Sequence, residues 1–518
     1  MVATASAKEQ RKFDVIVIGS GIGGLTCASL LAQFFKKRVL LIEKHFKFGG
    51  YSHSFQRPGG YSWDVGLHYV GQMGRRDQLR LVMDRVTGSR VEWEQFPDPF
   101  QHAVFPGFKI PFYSDEARHK QTLLASFPSS EKAIERYFRD VRKATRSGMI
   151  ASIVSRLPGP ASLILRLLFG HGTRFAMQTT QSYFDKHIAD PKLQAVLDAQ
   201  WGDYGLPPQQ STFFMHAMIV QHYWNGAYRP SRGAQSISDA VVAIVKENGG
   251  ETLKATQASQ LLFNQGRVIG VRAHKTHHPE ESIEFFAPVV ISDAGAKETY
   301  LNLVPETVPM EFREALRAVT PGCTAINLYV ALRKENTLNT SRHIYWIFSD
   351  WDHNRMWESR SRLLEGAPQV AFVSFDTNTA QIVTFIDSDV FSAWNKSQWK
   401  DRPAEYEALK VKIAESLIDC VGKVVPGFRE AIADYEVATP LTYQFFANRD
   451  HGEIYGLSFL SDFFSKPWTR PRSPFKGLFL TGADIGGVGI AGAMMSGIST
   501  LAQICGIGIY RQVFKRPG

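Results

Sequence analysis

A glycine-rich loop set between a strand and a helix, close to the start of the chain, limits the fold more than any other feature. Phe13-Asp14-Val15-Ile16-Val17-Ile18 is short, β-branched and apolar apart from Asp14. That is the pattern of a strand buried on both faces of a parallel sheet. Gly19-Ser20-Gly21-Ile22-Gly23-Gly24 follows at once. Gly19, Gly21 and Gly24 satisfy G-x-G-x-x-G: the first permits a tight turn, the second lets backbone approach a pyrophosphate, and the third lets helix pack on strand. The Ala- and Leu-rich segment from Leu25 to Phe35 is expected to be helical. Its N-terminus, reached through Ile22 and Gly23, offers free N–H groups and a positive dipole end to an anion. Val39-Leu40-Leu41-Ile42 reads as a second strand and ends at Glu43, where a ribose-binding carboxylate is expected. A lone glycine pattern is weak evidence, but strand, glycines, helix, strand and acid in order within about thirty residues specify a dinucleotide site.

The next segment separates FAD from NAD. Glu43-Lys44 leads into Gly49-Gly50 and then Tyr51-Ser52-His53-Ser54. Flavoproteins of the glutathione-reductase-like class carry such an E-K-x-x-x-x-G-G run, whose double glycine lets backbone pass close to the cofactor. With Gly60-Tyr61-Ser62-Trp63-Asp64-Val65-Gly66-Leu67-His68-Tyr69-Val70-Gly71 added, the segment resembles the phytoene desaturase and carotenoid isomerase superfamily. Its G-L-H-Y-V-G run is most similar to the retinol saturase branch.

Other stretches extend the resemblance over most of the chain. Gly477-Leu478-Phe479-Leu480-Thr481-Gly482-Ala483-Asp484 is a strand followed by G-A-D, and Gly486 to Ala493 precedes a small-residue helix from Met494 to Cys505. The resemblance implies that this motif closes the flavin site. It places Gly482 and Asp484 at the ribityl–pyrophosphate region, and Ile490 and Ala491 where a helix N-terminus faces the isoalloxazine. A helix end there would stabilise the anionic reduced flavin. The resemblance also implies a backbone contact to adenine near Gln257 and Ala258, before the turn at Asn264-Gln265-Gly266. Arg229 to Ala234, a helix from Ile237 to Glu247, and Val289 to Gly295 match as well. Departures are Pro230-Ser231-Arg232-Gly233-Ala234 in place of P-x-G-G, Tyr51, and Gly486-Gly487-Val488. They bear on the substrate and leave FAD binding intact.

A chain of 518 residues exceeds a single core, which stops growing near ~250–300 residues. The expected fold class is α/β: a discontinuous, glutathione-reductase-like FAD-binding Rossmann domain, a mixed-sheet substrate domain and a helical membrane-docking lid. The FAD domain is expected in segments 11–80, 225–300 and 468–510, a helical lid and substrate subdomain in 81–224, and the substrate domain in 301–467. Residues 324–332, 369–376 and 381–386 read as strands, and Pro403 to Cys420 as an amphipathic helix with Pro403 at an N1-like position. The run from Met149 to Phe169 is apolar, broken by Pro158-Gly159-Pro160, and punctuated by Arg142, Lys143, Arg146, Arg156, Arg166 and Arg174. Two short apolar helices with a basic rim suit a monotopic membrane-docking lid, and a pair of buried helices is the alternative.

Net charge is +10 and spread along the chain. A solvated basic surface accounts for it, as does attraction to an anionic membrane or a polyanionic cofactor. No dense basic run interleaved with aromatics points to nucleic acid. Cys27, Cys323, Cys420 and Cys505 form no C-x-x-C pair, so no metal site and a reducing compartment are expected. Residues 1–12 lack an apolar core, and no stretch reaches ~18 apolar residues. The expected location is cytoplasmic, peripherally associated with a membrane.

FAD carries the redox step. A saturase adds hydride to one carbon of a conjugated C=C and a proton to the next. His68 and Tyr69 are the candidate proton donors or polyene-orienting groups; a structural histidine bonded to backbone is the alternative for His68. His53 reads as packing or solvent-facing. Tyr443, Phe445, Phe446 and Tyr455 would line a polyene tunnel or belong to plain core. The expected substrate is an apolar conjugated lipid. No second G-x-G-x-x-G unit is evident, so electrons come from another carrier or from transient access of NAD(P)H. A carotenoid isomerase, a phytoene-type desaturase, an amine oxidase and a non-enzymatic lipid escort like the Rab GDP-dissociation inhibitors share this architecture. The intact glycine loop, Glu43 and G-A-D argue against the escort.

Overall fold

The strand that precedes the glycine loop, Val15–Ile18, lies at the centre of a five-stranded, all-parallel sheet. Its order is Glu251–Leu253, Val39–Ile42, Val15–Ile18, Val289–Ser292, Leu478–Leu480. Three distant stretches of chain therefore supply one sheet. The computed structural model describes residues 11–154, 170, 172, 174–336, 338 and 342–515. Two of the three inner strands, Val15–Ile18 and Val39–Ile42, are fully buried because the sheet is covered on each face. Val15 and Val17 pack with the helices Ile22–Phe35, Gln235–Glu247 and Gly489–Cys505. Ile16 and Ile18 pack on the other side, with an antiparallel meander of Thr256–Asn264, Arg267–Lys275 and His278–Phe286. The strand's two-residue period thus serves two apolar faces at once.

A second, seven-stranded sheet has the order Ile432–Ala438, Thr324–Leu332, Thr379–Ile386, Val370–Phe375, Ile344–Phe348, Gln101–Phe105, Phe108–Phe112. All its neighbours are antiparallel except Ile344–Phe348 and Gln101–Phe105. The helix Ala404–Gly422 covers one face, packing Ile413, Leu417 and Val421 against Ile326, Leu328, Val373 and Ile382. Pro403 is its N-cap, one position outside the N1 expected from sequence.

The segment 81–224, expected to be helical, also contributes the hairpin Gln101–Phe112 to this sheet. Alternating burial along Gln101–Phe105 and a Pro106-Gly107 turn, with Gly107 at φ 70°, build it. The strand Trp93–Gln95 pairs with Ala227–Pro230, and the helices of the segment are Glu116–Ser126, Glu131–Val154, Thr180–His187, Pro191–Leu197 and Phe213–His222. Residues 155–169 of the expected docking lid lie outside the described residues. Among the described residues no helix is long and apolar enough to cross a membrane.

Ile16 is wholly buried between the sheet and the meander. Replacing it with Ala is expected to cost about 2–5 kcal/mol of folding stability, read as a lower denaturant midpoint with an unchanged slope.

Candidate functional site

The glycine loop is positioned by backbone contacts that leave no room for side chains. A Cβ on Gly21 would lie 2.4 Å from Asp293 Oδ2, and one on Gly23 would lie 2.6 Å from the Gly482 nitrogen. The loop, the end of Val289–Ser292 and the G-A-D turn therefore meet at backbone distance. The helices Ile22–Phe35 and Gly489–Cys505 both start here, and neither has a side chain capping its N-terminus. Their free N–H groups form a cradle for an anion.

Glu43 is buried at the end of its strand. Its Oε2 accepts from the Ser20 backbone N–H at 2.9 Å and the Ser20 hydroxyl at 2.6 Å, while Oε1 accepts from the His45 N–H at 2.7 Å. Oε1, with one donor, keeps a second lone pair for a ribose hydroxyl. Ser20 Oγ in turn accepts from the Gly49 N–H at 2.9 Å, so this one serine ties the two glycine motifs together. Lys44 donates to the Phe445 carbonyl at 3.0 Å and to Asn448 Oδ1 at 2.5 Å, anchoring a distant loop. Burial lowers its pKa and raises that of Glu43.

One cavity of ≈ 1450 Å³ opens beyond this cradle. That exceeds the ~300–1,000 Å³ of ordinary small-molecule sites, leaving room for a dinucleotide and a second ligand. Gly19, Gly21, Ile22, Glu43, Lys44, Gly49, Gly50, Gln257, Ala258, Gly482, Ile490 and Ala491 line it, together with His68 and Tyr69. Gly23, Gly24 and Asp484 do not line it. The two glycines are used up in packing. Asp484, expected to contact the cofactor, is 2% exposed and accepts from the backbone N–H groups of Ala296 at 2.7 Å and Leu457 at 2.8 Å. It clamps protein segments, with Arg449 3.7 Å away.

Asp293 is an acid on the cradle that sequence reasoning passed over. It faces the glycine loop, burial pushes its pKa up to about 7, and its Oδ2 has no hydrogen-bond partner. A carboxylate stranded here would repel an incoming pyrophosphate, so the neutral acid is the form that fits one.

The far half of the cavity is apolar and aromatic. Met215, Met218 and Ile219 come from the helix Phe213–His222, and Trp346, Phe372 and Phe385 from the inner face of the second sheet. Met149, on the helix Glu131–Val154, also lines it. Of the expected tunnel residues, Tyr443, Phe446 and Tyr455 line the cavity. Phe445 is instead 44% exposed and stacks on Trp399 with centroids 5.0 Å apart. His53 Nδ1 sits 2.6 Å from the Gly50 carbonyl oxygen and does not face solvent freely.

His68 Nδ1 lies 3.2 Å from Ser374 Oγ and the ring meets Phe372 edge-on at 4.9 Å. Burial pushes its pKa down to about 4, so the imidazole is neutral. Its partner is a side-chain hydroxyl, not the backbone. Tyr69 Oη donates to Asp203 Oδ1 at 2.9 Å and Oδ2 at 2.8 Å. Asp203 carries no local signal in its Trp-Gly-Asp-Tyr context and was not singled out. Among the described residues no cluster of His, Cys, Asp and Glu could hold a metal ion.

Residues 17–86 match the family of NAD(P)-binding Rossmann-like domains. The all-trans-retinol 13,14-reductase of Rattus norvegicus is 31% identical over 543 residues, spanning 98% of this chain and 88% of the rat protein. The chain belongs to the all-trans-retinol 13,14-reductase family. The chain also resembles a chloroplastic prolycopene isomerase of Arabidopsis thaliana, 25% identical over 85% of the chain and 73% of the isomerase. The fold of the whole chain recurs in the crystal structure of an oxidoreductase from Methanosarcina mazei. That structure has a TM-score of 0.60 at 16% identity, covering 95% of this chain and 99% of that one.

Two outcomes follow for the cradle of this reductase-family protein. Gly21→Val forces a side chain into Asp293, and the folded variant is expected to bind added FAD far more weakly than wild type in an equilibrium titration. Asp293 holds a proton that the unfolded chain gives up, so stability falls as pH rises from 3.8 towards about 7. Asp293→Asn removes that group, and unfolding midpoints measured across this range should decline less steeply than those of wild type.

Proposed function

We propose that this chain is an FAD-dependent reductase that saturates one C=C bond of a conjugated, retinol-like polyene. The observation that carries the reading is a single cavity. It joins a dinucleotide cradle built from both ends of the chain to an aromatic, apolar half. Together with membership of the reductase family, this favours an elongated apolar substrate laid against a bound flavin.

The residues fit FAD. The uncapped start of Ile22–Phe35 would take the pyrophosphate, Glu43 the ribose, and the strand at Gln257 and Ala258 the adenine. The uncapped start of Gly489–Cys505, at Ile490 and Ala491, would place a positive dipole end beside the flavin ring. When bound and reduced, FAD supplies the hydride for one carbon of the double bond. The chain supplies the rest. Trp346, Phe372 and Phe385 orient the polyene and exclude water, and the wall at His68 and Tyr69 delivers a proton to the adjacent carbon.

The substrate reaches the cavity from a membrane surface. Met149 and Met218 line the cavity and are 52% and 37% exposed, an apolar opening on a chain of net charge +10. An external donor, a nicotinamide or another carrier, reduces the flavin.

A second reading, polyene cis–trans isomerisation, is favoured by the likeness to the Arabidopsis prolycopene isomerase. Product mass separates the two. Reduced protein incubated anaerobically with retinol, carotenoid and unsaturated-lipid panels is expected to add two hydrogens to a retinol-like alcohol. A product of unchanged mass would establish the isomerase in its place, and loss of two hydrogens in a parallel incubation with the oxidised protein a desaturase.

A further inference from the structure

Three side chains from separate segments meet on the cavity wall: Tyr69, from the loop after Gly66; Asp203, at the end of the single turn Trp201–Asp203; and Tyr223, just past the helix Phe213–His222. Both Asp203 oxygens accept from Tyr69 Oη, at 2.8 and 2.9 Å. The Tyr69 ring is held between Tyr223, with centroids 4.8 Å apart, and Phe372, at 5.8 Å. Trp346 Nε1 is 3.5 Å from the same Tyr69 oxygen. The titratable groups facing Asp203 are tyrosines: Tyr69, Tyr223 and Tyr455.

A carboxyl in such a setting retains its proton, because burial penalises the charged form and no cation offsets the penalty. Burial pushes Asp203 up to about 7. Two arrangements of the pair follow. With Asp203 ionised, Tyr69 spends its proton on the carboxylate. With Asp203 neutral, the acid donates to Tyr69 Oη and frees the phenolic O–H to turn into the cavity. His68 is poorly placed for the same task, since it is neutral and its Nδ1 is engaged by Ser374.

We propose that Tyr69 is the catalytic proton donor to the substrate carbon and that Asp203, acting through it as a positioning residue, frees and recharges its hydroxyl. The proposal rests on the reductase reading. As hydride from the reduced cofactor forms a C–H bond at one carbon, the π pair of the double bond takes the Tyr69 proton at the other. The O–H bond of Tyr69 breaks with its electron pair left on oxygen. The Asp203 proton then moves to that oxygen, and solvent reprotonates the carboxylate. The substrate gains two hydrogens, the cofactor loses two electrons, and one solvent proton is consumed.

Tyr69→Phe and Asp203→Asn, purified with FAD bound, test this in single turnovers of the reduced protein. Both are expected to slow product formation by ~10²–10⁴-fold, the range for losing a general acid, with cofactor content and melting temperature unchanged. Wild-type rate should fall as pH rises through about 7, and Asp203→Asn should lose that limb. A readout independent of turnover is the infrared carbonyl band of the protonated Asp203 carboxyl. It should be present in wild type below neutrality and absent in Asp203→Asn. If wild type reduces a polyene and both variants match its rate, or if no such band exists, the proposal is overturned while the reductase reading stands. If wild type reduces nothing in the panel, the reductase reading fails and takes the proposal with it.

Discussion

Everything in this structure depends on three backbone segments approaching within side-chain distance of one another. Gly21 and Gly23, the turn at Asp293, and Gly482 leave no space for a Cβ between them. The segments are far apart in the chain, so the cradle forms only when the central strand has both its neighbours, Val39–Ile42 and Val289–Ser292, and Leu478–Leu480 has joined the edge. Asp484 extends that dependence. By accepting backbone N–H groups from Ala296 and Leu457 it fastens the loop beyond the first sheet and a loop of the substrate region to the same turn. Asp484 thus helps hold the cofactor half and the substrate half of the cavity in one frame, alongside the Lys44 bonds to Phe445 and Asn448.

The cradle's attraction for an anion comes from backbone and from one buried cation, Arg449, which lines the cavity and acts on Asp293 and Asp484. Lys44 is consumed by the Phe445 carbonyl and Asn448. Two acids, Glu43 and Asp293, face the same space, and burial raises the pKa of both. An anionic cofactor could not settle between two ionised carboxylates in a medium that screens little. The uncapped helix starts and Arg449 supply the attraction, and a proton on Asp293 removes much of the repulsion. At Glu43 the three donors from Ser20 and His45 offset part of the effect of burial.

The parts legible in the sequence are those whose cause is local. Val15–Ile18, the glycine loop, Val39–Ile42 and the strand Thr324–Leu332 each carry their own pattern, and each lies where that pattern placed it. The parts that were not legible have causes distant in the chain. Asp203 acquires its meaning from Tyr69, 134 positions away, and Asp484 from Ala296, 188 positions away. The G-A-D motif signalled that an aspartate mattered but not what it would touch. Ser20 occupies a variable position of the glycine pattern, and only the fold brings it between Glu43 and Gly49. The hairpin Gln101–Phe112 was hidden because its partner strand, Ile344–Phe348, comes from far downstream.

The protons stored on the cavity wall bear on the direction of electron flow. Desaturation removes a hydride and a proton from adjacent carbons, so it needs a base, ionised and ready to accept. Reduction needs an acid. Burial drives every titratable group at this wall toward its neutral form: Tyr69 and Tyr223 well above their ordinary range, Asp203 to about 7, His68 to about 4. Neutral phenols, and the Asp203 carboxyl below about pH 7, are donors. Of the neutral groups the imidazoles of His68 and His222 have a lone pair basic enough to accept a proton, and both are engaged: His68 Nδ1 faces the Ser374 hydroxyl and His222 Nε2 accepts from the Gly71 N–H at 2.8 Å. The same burial that keeps water from the polyene therefore loads the wall with protons. A site loaded in that way is built to finish a hydride addition, which makes saturation the chemistry this geometry favours over its reverse.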